Sequence, residues 1–155
     1  MTTLYIMGTP IGNLKDITLR ALEVLKSVDV VVCEDTRVTG KLLHHFGISK
    51  PMKSLNARTE RKSTEVVMQL LKEGKIVAYL SDAGTPSISD PGSYLVSRIR
   101  EVFRDEVKII AIPGPSALTA ALSIAGLPAS DFLFLGFLPH KKGRETIFKE
   151  ISRSK

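Results

Sequence analysis

No disulfide can form within this sequence, because its 155 residues include a single cysteine, Cys33. That cysteine ends the apolar run Val30-Val31-Val32-Cys33. The run predicts a buried structural thiol, not a reactive one, and a reducing, cytoplasmic setting. The first residues, Met1-Thr2-Thr3-Leu4, lack the basic stretch and apolar core of a secretory signal. No apolar run approaches the roughly 18 residues a membrane span requires. There is no Gly-Lys-Ser/Thr, which excludes a Walker loop, and no G-x-G-x-x-G dinucleotide turn. His44, His45 and His140 have no carboxylate or cysteine at ligand spacing, so no metal site is expected. What remains is 43% hydrophobic and 25% charged, enough to bury the core of one soluble globular domain.

Five short apolar runs stand out: Leu4–Met7, Asp29–Cys33, Ile76–Leu80, Val107–Ile112 and Phe132–Leu135, with Pro51–Leu55 as a weaker edge strand. Near-continuous apolar runs of this length suit parallel strands covered on both faces. Helical stretches alternate with them. Asp16 is a plausible N-cap before Ile17, Ala21, Leu22, Leu25 and Val28, which share one helical face. Val66, Val67, Leu70 and Leu71 form a second stripe that Gly74 stops, and Pro115 opens a third helix closed by Gly126 and Pro128. The alternation predicts an α/β fold with a doubly wound, mostly parallel five-stranded sheet and helices on both faces. A strand and one helix after residue 130 cannot enclose a core of their own. Residues 1–130 are therefore expected to form one domain, and residues 131–155 the start of a truncated second α/β domain.

In open α/β sheets, ligands bind beyond the carboxyl ends of the strands. Three turns rich in glycine and proline fall there. Gly8-Thr9-Pro10-Ile11-Gly12-Asn13 follows the first strand. Ser81 to Gly92 (Ser-Asp-Ala-Gly-Thr-Pro-Ser-Ile-Ser-Asp-Pro-Gly) is a stiff loop, long enough to be functional. Pro113-Gly114-Pro115-Ser116-Ala117 offers carbonyls and small side chains and little phosphate-cradling N–H. At the end of the second strand, Glu34-Asp35-Thr36-Arg37 gathers two carboxylates and a guanidinium. It suits either a substrate site or a structural ion pair with Asp35 or Thr36 capping the next helix.

Taken together, the turn Gly8–Leu14 followed by Asp16-Ile17-Thr18, the loop Ser81–Gly92 and the turn Pro113–Ala117 resemble the three signatures of the tetrapyrrole-methylase superfamily. Cys33-Glu34-Asp35-Thr36-Arg37, Ser81–Pro86 and Gly136-Phe137-Leu138-Pro139 resemble its 16S ribosomal RNA cytidine-2′-O-methyltransferase branch, and the resemblance runs the whole chain in order. It implies the N-terminal domain of a class III methyltransferase that uses S-adenosylmethionine (AdoMet). Members extend well past residue 155, into a second domain that closes the cofactor cleft. The resemblance further implies a cofactor site with Asp82 at its centre, lined also by Pro10, Gly84, Thr85, Ser116 and Ala117. It implies a homodimer acting on 16S ribosomal RNA of the small subunit. Glu34, Asp35 and Arg37 are the candidate catalytic residues, with no one of them singled out. One departure stands at Leu55-Asn56-Ala57-Arg58-Thr59-Glu60, where many relatives carry a histidine-containing stretch. A proton-transfer role for that histidine does not carry over.

Charge supports a polyanionic partner. Residues 50–62 and 139–155 each carry a net +4 within a chain of +6, which leaves the remainder at −2. Arg58, Arg61, Lys62, Lys141 and Lys142 are the expected RNA contacts. The competing readings are a tetrapyrrole C-methyltransferase acting on uroporphyrinogen or a precorrin, whose acceptor is also polyanionic, and a non-catalytic RNA-binding or folding module.

Overall fold

A computed structural model describes residues 2–153. Short apolar runs of four residues, bounded by turn residues and rich in valine, suit strands covered on both faces. Val30–Cys33 (β2) and Val77–Leu80 (β4) form such strands, and every residue in them is buried. Thr2–Met7 (β1), Met52–Ser54 (β3) and Val107–Ile112 (β5) complete the set. All pair in parallel, in the order β3-β2-β4-β1-β5. The sheet is thus all-parallel, and the weak run at Pro51–Leu55 supplies its edge. Lys53 on β3 and Lys108 on β5 are exposed at the two edges, where charge discourages pairing with other chains.

The helices are Leu19–Ser27 (α1), Thr36–His45 (α2), Glu60–Lys72 (α3), Ser93–Phe103 (α4), Ala117–Ile124 (α5) and Arg144–Ile151 (α6). α1 and α2 cover one face of the sheet with Ala21, Leu25, Leu42 and Leu43. α3 and α4 cover the other with Val67, Met68, Leu71, Leu95, Ile99 and Phe103. A fully buried leucine here stabilises the fold by about 1.5–3 kcal/mol over an exposed one.

Three sequence expectations need correction. Asp16 lies in a single 3-10 turn, Leu14–Asp16, capped by Asn13, and Thr18 caps α1 by accepting from the Ala21 N–H. Proximity to the apolar stripe does not fix which of two nearby polar residues has extended backbone, and Thr18 does. Val66 is 42% exposed, because α3 turns Met68 inward beside Val67 and Leu71. Phe132–Leu135 is not a strand. It lies beside neither sheet edge, so its backbone has no ladder to join, and its side chains stay 46–71% exposed.

Candidate active site

A parallel sheet delivers the loops after all its strands to one edge. β1 and β4 are neighbours, but the helices that follow them, α1 and α4, lie on opposite faces. Beyond these first turns the chain therefore diverges to opposite faces and leaves a crevice at the edge. Backbone contacts hold the three turns in a fixed relation. Thr9 N–H donates to Gly84 O at 2.9 Å and Gly84 N–H returns a bond to Thr9 O at 3.1 Å. Thr9 Oγ1 also donates to Ser81 O at 3.2 Å. On the other side, Gly8 N–H donates to Ile112 O at 3.1 Å. Gly8 and Gly114 touch backbone to backbone, since a Cβ built on Gly8 would stand 2.9 Å from Gly114 Cα.

The Ser81–Gly92 loop is pinned at its far end. Tyr79, buried on β4, donates its hydroxyl to Pro91 O at 2.7 Å, and Gly92 N–H donates to Glu60 Oε1 at 2.7 Å. Gly92 has φ +121°, and a Cβ there would lie 2.4 Å from Tyr79 Cε1, so only glycine fits. Ser87 and Ser89 hold left-handed backbone at φ 68° and 59°, each storing roughly 1–2 kcal/mol of strain. Strain of this kind persists where surrounding contacts over-determine a loop, and it concentrates at functional sites.

Four of the six expected cofactor residues meet. Gly84, Thr85, Ser116 and Ala117 line a cavity of 410 Å³, within the range of small-molecule sites. Thr85 Oγ1 donates to Pro115 O at 3.5 Å and joins the two walls. Ile11, Ile88, Leu118, Phe134 and Phe137 supply apolar lining, and Asp90 one carboxylate. The stretch read from sequence as a strand thus forms a wall of this cavity, packed so closely that a Cβ on Gly136 would meet Ser89 Oγ at 2.8 Å. The other two expected residues, Pro10 and Asp82, line an adjoining recess of 370 Å³ with Val38, Thr39 and Leu42.

Asp82 is also a structural tie. Its Oδ1 accepts from Asp35 N–H at 3.0 Å and so joins the end of β4 to the end of β2. Beyond that tie, Glu34, Asp35, Arg37, Asn56, Arg58 and Asp82 surround a recess of 550 Å³. Within it the Glu34–Arg37 cluster divides its labour. Asp35 caps α2, accepting from Arg37 N–H at 2.8 Å, and also takes the Arg37 guanidinium at 2.6 Å. The Arg37 side-chain bonds hold the Asp35 carboxyl down at about 2. Glu34 moves the other way. Burial raises its pKa first, followed by the nearby charges of Asp82 and Asp90. Burial likewise pushes up the Cys33 thiol, which is wholly enclosed.

Of the expected RNA contacts, exposed Arg58, Arg61 and Lys62 share one recess with Tyr94. Lys141 and Lys142 are exposed on a separate segment just before α6, and Lys155 lies outside the described residues. Sequence reasoning missed Glu60, Tyr79 and Asp90. Glu60 fell in the segment noted only for its arginine, and nothing in a linear sequence signals that its carboxylate reaches Gly92.

Residues 3–152 match the family model of Tetrapyrrole (Corrin/Porphyrin) Methylases. The Ribosomal RNA small subunit methyltransferase I of Thermotoga maritima is 49% identical over 153 residues, which is 99% of this chain and 68% of that protein. The protein of the same name from Escherichia coli O157:H7 is 50% identical over 149 residues, 96% of this chain and 51% of that protein. The chain thus spans about half to two-thirds of the length of these curated relatives. A uroporphyrin-III-C-methyltransferase structure from Thermus thermophilus superposes with a TM-score of 0.61 at 25% identity, covering 83% of this chain and 54% of that one. A cobalamin synthesis related protein (CobF) from Corynebacterium diphtheriae shares the fold at 18% identity, with a TM-score of 0.64 over 85% of this chain and 61% of its own.

Proposed function

The chain belongs to the tetrapyrrole methylase family, and we propose that it is the AdoMet-binding part of an enzyme that methylates the 2′-hydroxyl of a cytidine in 16S ribosomal RNA. The observation that carries the choice of substrate is identity of about half, across nearly the whole chain, to proteins named as small-subunit ribosomal RNA methyltransferases. The tetrapyrrole alternative rests on a 25% likeness and a shared fold. On this reading residues 1–130 are the cofactor domain and residues 131–155 lead into a second one. The exposed apolar side chains of Ile124, Leu127, Leu133 and Phe137, at 71–86%, are what such a domain would cover. A cytoplasmic setting and a homodimer belong to the same reading.

The cavity suits AdoMet by its chemistry. Apolar side chains from Ile11, Leu118 and Phe134 match the faces of an adenosyl group, and Asp90 offers a carboxylate to a cation. Gly84, at φ +79° and 3.4 Å from Ile11 Cγ2 were it to carry a Cβ, leaves room for close backbone approach. Gly84, Thr85, Ser116 and Ala117 would hold the cofactor there, with Pro10 and Asp82 reaching it from the adjoining recess. When bound, the cofactor supplies an electrophilic methyl group on sulfonium sulfur. The chain's part is alignment and proton removal, and alignment alone supplies several kcal/mol.

A ribose hydroxyl is a weak nucleophile, so the acceptor proton needs a base. Asp35 is unsuited, because its paired guanidinium lowers its proton affinity. Glu34 is suited, because its raised pKa brings a carboxylate nearer to the working pH. Glu34 would take the 2′-hydroxyl proton, while Arg37 and Arg58 hold the flanking phosphates. The test extends the chain to the length of its relatives and follows labelled methyl from AdoMet. Label is expected in unmodified small ribosomal subunits and not in uroporphyrinogen. The reverse result would overturn the proposal in favour of the tetrapyrrole reading.

A further inference from the structure

Beyond the catalytic recess the groove continues, and its far end has a different character. The 370 Å³ recess shares Asp82 with the 550 Å³ recess, which shares Arg58 and Thr59 with one of 600 Å³. That last recess is bounded by Arg58, Arg61, Lys62 and Tyr94. Three cations line this recess together with one aromatic ring. The Arg61 guanidinium sits over the Tyr94 ring, 5.6 Å from its centroid. Glu60 also lines this recess, and one of its carboxylate oxygens is engaged by Gly92 N–H. Tyr94 is half-buried near the start of α4 and keeps part of its ring in the groove.

Charge alone would bind any polyanion. An aromatic ring under a guanidinium adds a flat platform, on which nucleobases stack largely without regard to sequence. We propose that the recess between α3 and α4 is a nucleobase-stacking site, in which Tyr94 and Arg61 receive an unpaired base of the RNA some way along the strand from the methylated nucleotide. Arg58 and Lys62 neutralise the phosphates on either side of that base. The inference rests on the RNA reading above and adds to it a recognition element outside the reaction centre. It also implies that the target is presented as single-stranded RNA, since a paired base has no free face to offer.

The absence of tryptophan makes the site directly observable. The chain has three tyrosines, of which Tyr79 is fully buried, Tyr5 is half-buried on β1 and Tyr94 is the one that lines this recess. Stacking on Tyr94 should therefore quench a distinct part of the intrinsic tyrosine emission. The experiment titrates this chain with a labelled ten-nucleotide single-stranded RNA and, separately, with inorganic polyphosphate, reading anisotropy and tyrosine emission. RNA should quench emission where polyphosphate does not. Tyr94→Leu should weaken RNA binding by about 5- to 150-fold, with polyphosphate affinity and the salt slope unmoved. Tyr94→Phe should restore RNA affinity to within about twofold while removing the quench.

A purely structural tyrosine would lower thermal stability in Tyr94→Leu and reduce both titrations together, and that outcome overturns the proposal. RNA binding that is intact but indifferent to Tyr94 overturns the stacking site and leaves the RNA reading standing. A wild-type chain that binds polyphosphate and RNA alike with no quench does the same. Failure to bind RNA at all removes both.

Discussion

Replacing Gly8 by alanine tests the architecture of the site with one methyl group. Gly8 does not hold left-handed backbone, so alanine meets no conformational penalty there. Its Cβ would instead stand 2.9 Å from Gly114 Cα, 3.0 Å from Gly114 N and 3.3 Å from Gly114 C. Carbon atoms rest at about 3.5–4.0 Å, so the two backbones must part by roughly 0.5–1 Å. No flexible side chain can yield, because both partners are main chain. Overpacking of this kind costs about 1–3 kcal/mol. For a chain this long, that converts to a fall in Tm of roughly 2–12 °C. Gly114→Ala makes the reciprocal clash, 2.9 Å from Gly8 O, and should cost a similar amount. The double variant should cost less than the two singles added, because the first methyl opens the gap the second needs. Gly47→Ala is the control. It has φ +64° and no neighbour within 4 Å, so its loss, about 1–2 kcal/mol, is conformational alone. Urea denaturation supplies the free energies, and calorimetry with AdoMet on the chain extended to its relatives' length supplies the consequence. Parting the two turns displaces Ser116 and Ala117, so affinity should fall several-fold. Gly8→Ala within about 0.5 kcal/mol of wild type, or strict additivity, would refute the close approach.

Other expectations follow from the same edge of the sheet. Asp82→Ala should weaken AdoMet binding and also lower Tm, because Asp35 N–H loses its acceptor, whereas Asp82→Asn should keep stability and lose only affinity. Glu34 has a raised pKa, so its carboxyl favours folding when protonated, below its ordinary 4.5, and that contribution is lost as pH rises through the raised value. Glu34→Gln should therefore melt higher than wild type at pH 7, with the gain vanishing below pH 4.5, and should transfer methyl more slowly in the extended protein. Asp35 behaves oppositely: its pairing with Arg37 helps above 3.8 and is lost as pH falls toward 2, so Arg37→Gln should be less stable than wild type above 3.8, with the difference closing as pH falls toward 2. Reversing Arg58, Arg61 and Lys62 to glutamate should flatten the salt dependence of RNA binding, by about 0.7 in log-log slope per lost phosphate contact, with AdoMet affinity unchanged.

How far the sequence could be read depended on how local the cause was. β2 and β4 were legible because four buried residues in a row admit one solution, and α1 because Ala21, Leu25 and Val28 recur on one face. Gly74, expected to stop α3, follows it with φ +82°. The errors arose where the decision was tertiary. Phe132–Leu135 has every local mark of a strand, yet a strand exists only if an edge receives it. Five of the six expected cofactor residues lie in the loops and Ala117 opens α5, but their division between two recesses depends on how Thr9 and Gly84 pair, and spacing does not encode that. At Glu34–Arg37 both readings drawn from sequence stood open. The structure takes Asp35 and Arg37 for a cap and ion pair and leaves Glu34 facing the recess.

On the proposed reading, strand order lets one edge serve two very different ligands. β4 is the middle strand, so Asp82, just past its end, has β2 and its charged turn on one side and β1 and β5 with their turns on the other. On the β1 and β5 side the lining is Ile11, Gly84, Ala117 and Phe134, apolar and small. On the β2 and β3 side it is Glu34, Arg37, Asn56 and Arg58, polar and charged. An adenosyl face and a phosphodiester strand would make conflicting demands on one cavity, because the first needs apolar lining and the second cations. On the proposed reading, placing the two on opposite sides of β4 keeps each in matching surroundings. Asp82, tied by its Oδ1 to the turn after β2, fixes the distance between the two halves. Any change that lengthens that tie should therefore damage transfer more than it damages the binding of either partner.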